Sequence, residues 1–157
     1  MNDGTTAPLD DQDWAILGEL QADARVSYAE LARRVALSPS AVTDRVHRLQ
    51  NLGVITGYHA AVDPARLGRP VQAVVRLKYP GSAHQPLHRI LADRPEILQC
   101  DRVTGEECYI IRLATHSMEH LEAVVDELAR LGSLTTNVVY STPLPRRAIG
   151  RGRGEMP

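Results

Sequence analysis

The sequence predicts an α+β protein in two parts: an N-terminal three-helix domain with a helix-turn-helix, and a C-terminal βαββαβ domain of the ferredoxin-like type. The first third of the chain carries three short helical patterns, and only three residues separate the last two. The rest carries six patterns in the order strand, helix, strand, strand, helix, strand. A strand-like stretch within residues 54–69 joins the two parts and is predicted as a hinge strand and linker.

The first two helices are marked by their N-terminal caps. Asp10 is the predicted N-cap of a helix that runs to about Ala22, with Asp13 at its third position. Ser27 begins a second helix that runs to about Val35, and Ser27-Tyr28-Ala29-Glu30 has the spacing of a capping box. Apolar residues at helical spacing predict that both helices face one core. These residues are Trp14, Ile16, Leu17, Leu20, Tyr28, Leu31 and Val35.

The third helix begins after Ser38, a predicted N-cap that is followed by proline at the first helical position. Its core stripe is Val42, Val46 and Leu49, which recur at i, i+4 and i+7. Gly53 is predicted to end it in the left-handed conformation. The link Ala36-Leu37-Ser38 is so short that the second and third helices must cross steeply, as in a helix-turn-helix.

A helix-turn-helix that binds DNA places its second helix in the major groove. On this interpretation residues 1–53 form a DNA-binding domain in which the start and outer side of the third helix contact DNA. A three-helix bundle that binds a protein is the alternative. Arg45 lies about 60° from the core stripe, so a structural salt bridge competes with a DNA contact there. Arg33 and Arg34 are predicted phosphate contacts or a solvated pair. The predicted contacts on the third helix are Ser38, Ser40, Ala41, Thr43, Asp44, Arg45, His47 and Arg48.

The charge balance gives no general argument for nucleic acid, since the whole chain has a net charge of −1. Residues 1–60 hold five arginines against eight acids, a net of −3. One such domain should bind DNA weakly, because neutralised phosphates supply most of the non-specific affinity, and several copies would bind more strongly. The segment 145–157, which contains Arg146, Arg147, Arg151 and Arg153, is predicted to be a disordered basic tail that could touch phosphates.

The C-terminal domain, residues 70–144, is predicted to pack two helices on one face of a four-stranded sheet. The strands are predicted at Val71 to Tyr79, Ile97 to Val103, Glu107 to Ala114 and Leu134 to Tyr140, and the helices at Gln85 to Asp93 and from Ser117 to Gly132. Apolar and β-branched residues occur on both sides of these strands. The uncovered face is therefore predicted to pack against a second copy of the chain.

Three stretches together resemble the Lrp/AsnC (feast/famine) family of prokaryotic transcription regulators. They are Leu9-Asp10-Asp11-Gln12-Asp13, Leu37-Ser38-Pro39-Ser40 and Val103-Thr104-Gly105, and the similarity extends from about Leu9 to Leu144. The resemblance implies a sequence-specific regulator that binds double-stranded DNA, and the use of only two cysteines favours a reduced, cytoplasmic location. It also implies homodimers, often assembled into octamers around which DNA wraps, and an amino acid or related small-molecule effector bound between dimers.

The resemblance places the effector site at the turn formed by Val103, Thr104, Gly105 and Glu106, with Cys108, and at Ser133, Thr135 and Thr136. Cys108 stands where many members carry an aspartate that is expected to hold the ammonium of the effector. Glu106 or Glu107 could replace it, or the effector could lack an ammonium. An effector-independent architectural protein that wraps DNA is the alternative function.

Two further departures from the family concern Ala24 and Ala36, which stand where glycine is common after the first two helices. A left-handed backbone at either alanine costs about 1 kcal/mol. No pattern indicates an enzyme, a cofactor or a membrane span, and the His84/His88 and His116/His120 pairs lack a third metal ligand at motif spacing. Cys100 and Cys108 are interpreted as half-buried thiols of a reduced compartment, with a redox switch as the alternative.

Overall fold

The structure is a computed structural model that describes residues 9–81 and 84–151. The described residues form two compact units, one made of those up to Ala60 together with those from Leu144 onward, and the other of Ala61–Pro143. Each unit has its own cluster of buried apolar side chains. None of the helices in these ranges is both long enough and apolar enough to cross a membrane.

The N-terminal unit contains helices α1 (Asp11–Ala22), α2 (Tyr28–Arg34) and α3 (Pro39–Asn51). All three predicted N-caps are confirmed, because the side chains of Asp10, Ser27 and Ser38 each accept a hydrogen bond from a main-chain N–H of the first turn. The capping box at Asp10 is complete. The one predicted at Ser27 is only half formed, since the carboxylate of Glu30 pairs with arginines of its own helix instead of the Ser27 N–H.

The core of this unit follows the predicted stripes. Val42, Val46 and Leu49 of α3 are fully buried, in one cluster with Ile16 of α1 and Leu31 of α2.

The prediction for Tyr28 was wrong, because this side chain is 36% exposed and does not belong to the cluster. It occupies the first helical position of α2. A side chain on a helix leans toward the N-terminus, so at this position it lies beyond the region where the three helices meet.

The link between α2 and α3 contains one residue with an unusual backbone. Ala36 has φ +53°, and among the described non-glycine residues only Ala36 has a positive φ. Leu37 N–H bonds to Ala32 O at 2.9 Å and Ala36 N–H to Arg33 O at 3.4 Å, which is the hydrogen-bond pattern of a Schellman motif. The left-handed alanine considered in the sequence is therefore present at Ala36 and absent at Ala24.

The hinge strand predicted between residues 54 and 62 is not observed. A strand requires a hydrogen-bonded neighbour, and the described chain provides none along this stretch, which has no regular secondary structure. It leads to a 3₁₀ turn at Pro64–Leu67, where Asp63 caps the turn by accepting from Ala65 N–H at 2.9 Å.

The C-terminal unit has the predicted βαββαβ order, with strands β1 (Val71–Lys78), β2 (Ile97–Arg102), β3 (Tyr109–Thr115) and β4 (Ser133–Val138) and helices α4 (Gln85–Asp93) and α5 (Met118–Ala129). The strands form one antiparallel sheet in the order β2-β3-β1-β4. Leu87 of α4 and Leu121 and Leu128 of α5 share its core with Val75 and Ile111 of the sheet. The α+β fold is thus confirmed.

The strand register divides the sheet into two faces. Val75 pairs with Ile111 and Thr136, and these residues lie on the face that packs against the helices. Arg76 pairs with Ile110 and Thr135 on the opposite face. Along β1 that face presents both polar and apolar side chains, namely Gln72, Val74, Arg76 and Lys78.

Candidate nucleic-acid interface and effector site

The outer side of α3 is open to solvent. Ser38, Ser40, Asp44, His47 and Arg48 are exposed, while Ala41, Thr43 and Arg45 are half-buried at its margins. The eight residues predicted to contact DNA thus lie around the side of α3 opposite its buried stripe.

Hydrogen bonds within α3 engage some of its side chains. Ser38 Oγ accepts from Ala41 N–H at 3.2 Å and lies 3.1 Å from Ser40 Oγ. The hydroxyl of Thr43 donates to Pro39 O at 2.9 Å. The Thr43 hydroxyl is therefore used by the main chain, whereas the Ser40 hydroxyl, although in contact with Ser38 Oγ, keeps further acceptor capacity at the start of the helix.

The two arginines of α2 have different roles in the structure. Arg34 contacts Glu30 on its own helix and Glu19 on α1, both at 2.8 Å. It therefore links α1 to α2. Within the described part of the chain Arg33 pairs with Glu30 of its own helix alone, and its side chain is 76% exposed. Of these two predicted phosphate contacts, Arg33 is the more exposed, at 76% against 41% for Arg34.

A network of charged groups joins the start of α1 to α3. Asp13 is fully buried, and its Oδ1 accepts from Arg45 Nη1 at 2.9 Å while its Oδ2 accepts from Arg48 Nη2. Arg45 Nη1 also lies 2.7 Å from Asp10 Oδ2. The Asp13 N–H bond and the Arg45 guanidinium both lower the pKa of Asp10, and the hydrogen bonds to Asp10 and Asp13 raise that of Arg45.

This network was only partly predicted. A salt bridge for Arg45 was the alternative given to its DNA contact, but Asp13 was interpreted only as a capping residue.

Asp10, Ala41, Asp44, Arg45 and Arg48 line one open concave patch where the start of α1 meets the outer side of α3.

The tail contacts α1 without forming a helix or strand through residue 151. Gln21 donates to Ile149 O at 3.0 Å and accepts from Ile149 N–H at 2.8 Å, and Arg151 pairs with Asp11. Arg146 and Arg147 are exposed and have no ion-pair partner among the described residues. Arg153 lies outside the described residues, and the predicted disorder of the tail stays a prediction.

The turn between β2 and β3 forms a shallow concavity. Its lining is Val103, Thr104, Gly105, Glu106, Glu107 and Ile110. Gly105 has φ +110°, a backbone conformation that side-chain-bearing residues avoid. Lys78 of β1 lies 3.0 Å from Glu106, and Arg76 of the same strand lies 3.0 Å from Glu107.

The structure brings only part of the predicted effector site together. Val103, Thr104, Gly105 and Glu106 line the concavity, but Cys108 does not: its Sγ lies 3.4 Å from Tyr79 N and faces the main chain of β1. Ser133 and Thr135 of β4 are the strand partners of Lys78 and Arg76 of β1. They therefore lie next to the two cations that pair with the glutamates of the turn. Thr136 points toward the helices, where its Oγ1 is buried and has no hydrogen-bond partner among the residues that the structure describes.

Glu107 was predicted for the effector site only as a substitute for Cys108, and Ile110 was not predicted for it. Both line the concavity. Strand alternation could have indicated Ile110, which lies on the opposite face from its buried neighbours Tyr109 and Ile111.

Cys100 and His84 make local contacts. Cys100 pairs with Ile111, so it does not face Cys108 across the hairpin, and burial raises the pKa of the Cys100 thiol. His84 Nδ1 lies 2.9 Å from the Tyr109 hydroxyl. Within residues 9–81 and 84–151, no group of three or more His, Cys, Asp and Glu residues is arranged to hold a metal ion.

Two family models match the chain. Residues 9–50 match the AsnC-type helix-turn-helix domain, and residues 72–149 match the Lrp/AsnC ligand binding domain. The first match covers α1, α2 and all but the last residue of α3, and the second covers the sheet except the first residue of β1, together with the concave turn.

Named relatives agree with these models. The transcriptional regulator LrpC of Bacillus subtilis is 32% identical over 133 residues, covering 85% of this chain and 92% of LrpC. Its solved structure has a TM-score of 0.84, at 31% identity, and covers 89% of this chain and all of that one. The regulator LrpA of Mycobacterium tuberculosis is 35% identical over 133 residues, covering 82% of this chain and 86% of LrpA.

One similar structure contains a small molecule. It is a transcriptional regulator of Neisseria meningitidis in complex with L-Met, with a TM-score of 0.83 at 26% identity, covering 90% of this chain and 96% of that one.

Proposed function

The chain belongs to the Lrp/AsnC family of DNA-binding transcriptional regulators, and on that premise we propose that α3 reads operator DNA and that a small metabolite bound at the β2–β3 turn tunes this reading. One observation carries the DNA part of the proposal. Val42, Val46 and Leu49 anchor α3 in the core, while its opposite side offers hydroxyl, carboxylate, imidazole and guanidinium groups to solvent.

These groups suit the edges of bases in the major groove. Arginine donates a bidentate pair to guanine, a carboxylate accepts from cytosine, and serine bonds to either kind of edge. Arg48, Asp44 and Ser40 are the residues of α3 with these chemistries and with exposed side chains. Ser38 and the main-chain amides near it, together with Arg33, are placed to contact phosphates.

The N-terminal domain needs help to bind DNA, because residues 1–60 carry a net charge of −3. We assign part of that help to the tail, which is held on α1 by Gln21 and Asp11 and which carries the exposed Arg146 and Arg147. The rest would come from a second copy of the chain, since two linked domains bind a duplex far more strongly than one. Homodimers, and octamers built from them, are the assemblies we propose, acting in the cytoplasm.

The chemistry of the concave turn fits an amino acid or a related small molecule. Main-chain amides at Gly105 can receive a carboxylate, as such turns commonly do. Glu106 and Glu107 are each paired with a cation of β1, so pairing does not separate them. Glu107 is the better candidate for an ammonium group, because it is 37% exposed within the concavity whereas Glu106 is 83% exposed. The thiol of Cys108 faces β1 and would not contribute.

A second function rests on Cys108, a neutral residue at the position where the family resemblance implies an aspartate in many members. A chain without an effector would act as an architectural protein that wraps DNA whatever the metabolite level. Coupling between effector binding and DNA binding distinguishes the two functions. An effector can change DNA binding only if it binds one conformation or assembly better than another.

The experiment is a footprint of the purified chain on an operator fragment selected from a random duplex library, with and without each of a panel of amino acids and keto acids. A protected site whose extent or affinity changes with one ligand supports a regulator with an effector. A protected site that no ligand alters, together with no ligand-induced change in melting temperature, supports the architectural function. If no fragment is selected, the proposal of specific DNA reading is wrong.

A further inference from the structure

We propose that Asp13 is a positioning residue for DNA recognition: it fixes Arg48 against the reading surface and so sets the preference for operator over non-specific DNA. This inference rests on the proposed function, since it requires that α3 reads bases. Asp13 lies on α1 and cannot itself contact a duplex, because it is fully buried.

The geometry begins with the carboxylate of Asp13. Its Oδ2 accepts from the main-chain N–H of Asp10 at 3.0 Å, and this bond completes the capping box of α1. The same oxygen accepts from Arg48 Nη2, and Oδ1 accepts from Arg45 Nη1 at 2.9 Å. Because the carboxylate is held by the helix cap, it gives the arginines of α3 a fixed point of attachment.

The two arginines are held to different degrees. Nη1 of Arg45 is within hydrogen-bond distance of both carboxylates, from Asp10 and Asp13, and the side chain is 29% exposed. Arg48 is bound to Asp13 through Nη2 and is 42% exposed. A guanidinium carries five donors in a planar fork, so Arg48 keeps donors for another partner while its orientation is restricted.

Two consequences favour specific binding. Ordering an arginine side chain costs conformational entropy, and Asp13 imposes much of that order before DNA arrives. Asp10 and Asp13 also balance the charges of Arg45 and Arg48, which reduces the attraction for phosphates that every duplex shares. Without Asp13, Arg48 becomes a mobile cation that binds phosphates anywhere along DNA.

The test is the ratio of two affinities measured for the full chain. One is for the selected operator fragment, and the other is for a duplex of the same length with scrambled sequence, both titrated well below the melting temperature. Asp13→Asn keeps the size of the side chain and a hydrogen-bond acceptor but removes the charge. We expect the ratio to fall about tenfold, the loss of one bidentate base contact, while affinity for the scrambled duplex stays constant or rises.

Asp23→Asn is the matched control, since it removes one negative charge from the other end of α1 at an exposed side chain. It should change both affinities by the same factor and leave the ratio constant. In an Arg48→Ala background, Asp13→Asn should no longer affect the ratio. If Asp13→Asn folds poorly alone, the same pair of titrations is made in an Ala36→Gly background, which relieves the strained turn.

A purely structural role for Asp13 would lower the amount of folded protein and both affinities together, so an unchanged ratio in a folded Asp13→Asn variant overturns the inference. An equal fall in the ratio for Asp23→Asn also overturns it. If the wild-type chain does not distinguish the operator from the scrambled duplex, the proposed function itself is wrong, and that outcome is separate from these.

Discussion

Ala36 and Gly53 occupy the same position at the ends of two successive helices. Each follows the C-cap residue, Val35 on α2 and Leu52 on α3, and each has a left-handed backbone, with φ of +53° and +69°. Both donate in a Schellman pattern, Ala36 to Arg33 O at 3.4 Å and Gly53 to Gln50 O at 2.9 Å. Only the glycine adopts this conformation without a steric cost.

Ala36→Gly is therefore expected to stabilise the N-terminal domain by about 1 kcal/mol, because it removes the left-handed strain of the alanine. A gain of this size corresponds to a rise in melting temperature of about 4 °C or more for a domain of this size. Thermal unfolding followed by far-UV circular dichroism measures it.

Ala24→Gly is the matched control, since Ala24 follows the neighbouring helix α1 and does not have a positive φ. The same change there should lower stability slightly, because glycine adds freedom to the unfolded chain. Equal responses at both positions would contradict the assignment of strain to Ala36.

Arg33 and Arg48 should differ in how they affect DNA binding. Arg33→Ala removes an exposed cation and is expected to weaken binding to all sequences equally and to reduce the slope of log K against log salt by about 1. Arg48→Ala should weaken operator binding by about tenfold or more with less effect on scrambled DNA. Fluorescence anisotropy at several salt concentrations separates these effects, and a uniform loss for Arg48→Ala would argue against base reading.

Removal of residues 145–157 should reduce the salt dependence of DNA binding. Arg146 and Arg147 are exposed on a segment that Gln21 and Asp11 hold on α1, so their loss is expected to lower the salt slope by about 1 to 2 per chain. Gln21→Ala weakens only the attachment and should have a smaller effect of the same sign. An unaltered slope after truncation would show that the tail does not touch phosphates.

The concave turn should lose its ligand when Gly105 is replaced. An alanine at φ +110° is strained although no neighbouring atom blocks its Cβ, so Gly105→Ala should shift the turn and abolish ligand-induced stabilisation. A ligand at 100 times its Kd stabilises the folded state by about 2.7 kcal/mol, which a melting experiment detects.

Two companion variants assign the groups in that site. Glu107→Gln should remove the stabilisation by amino acids and keep that by the matching keto acids, because it deletes the proposed partner of the ammonium. Cys108→Ser should preserve the response, since the thiol faces β1 instead of the concavity. If Cys108→Ser loses the response and Glu107→Gln keeps it, the effector site lies at Cys108 and not in the concavity.

Much of the fold could be predicted because its determinants are local in sequence. Asp10, Ser27 and Ser38 were found as helix caps since a cap needs only a side chain and amides within three residues. The order of strands and helices likewise follows from periodicities of two and 3.6 residues. These features do not depend on how the elements pack.

The features that could not be predicted depend on packing between elements. The bond between Asp13 and Arg48 joins residues 35 positions apart and is set by the angle at which α1 and α3 cross. The position of Cys108 beside Tyr79 is set by the register of β1 and β3. The failed hinge strand has the same origin, since an extended segment becomes a strand only when a neighbour pairs with it.

The central claim, that the outer side of α3 enters the major groove, is tested most directly by cleavage from a tethered iron chelate. The chelate is attached through Ser40→Cys in a chain carrying Cys100→Ser and Cys108→Ser, and a control chain carries it at the exposed Glu122 of α5. Cleavage of the selected operator should concentrate at two short major-groove segments about one helical turn apart for the chelate at position 40, and should be weak and diffuse for the control. Diffuse cleavage from position 40, or the same pattern from both positions, would contradict the claim.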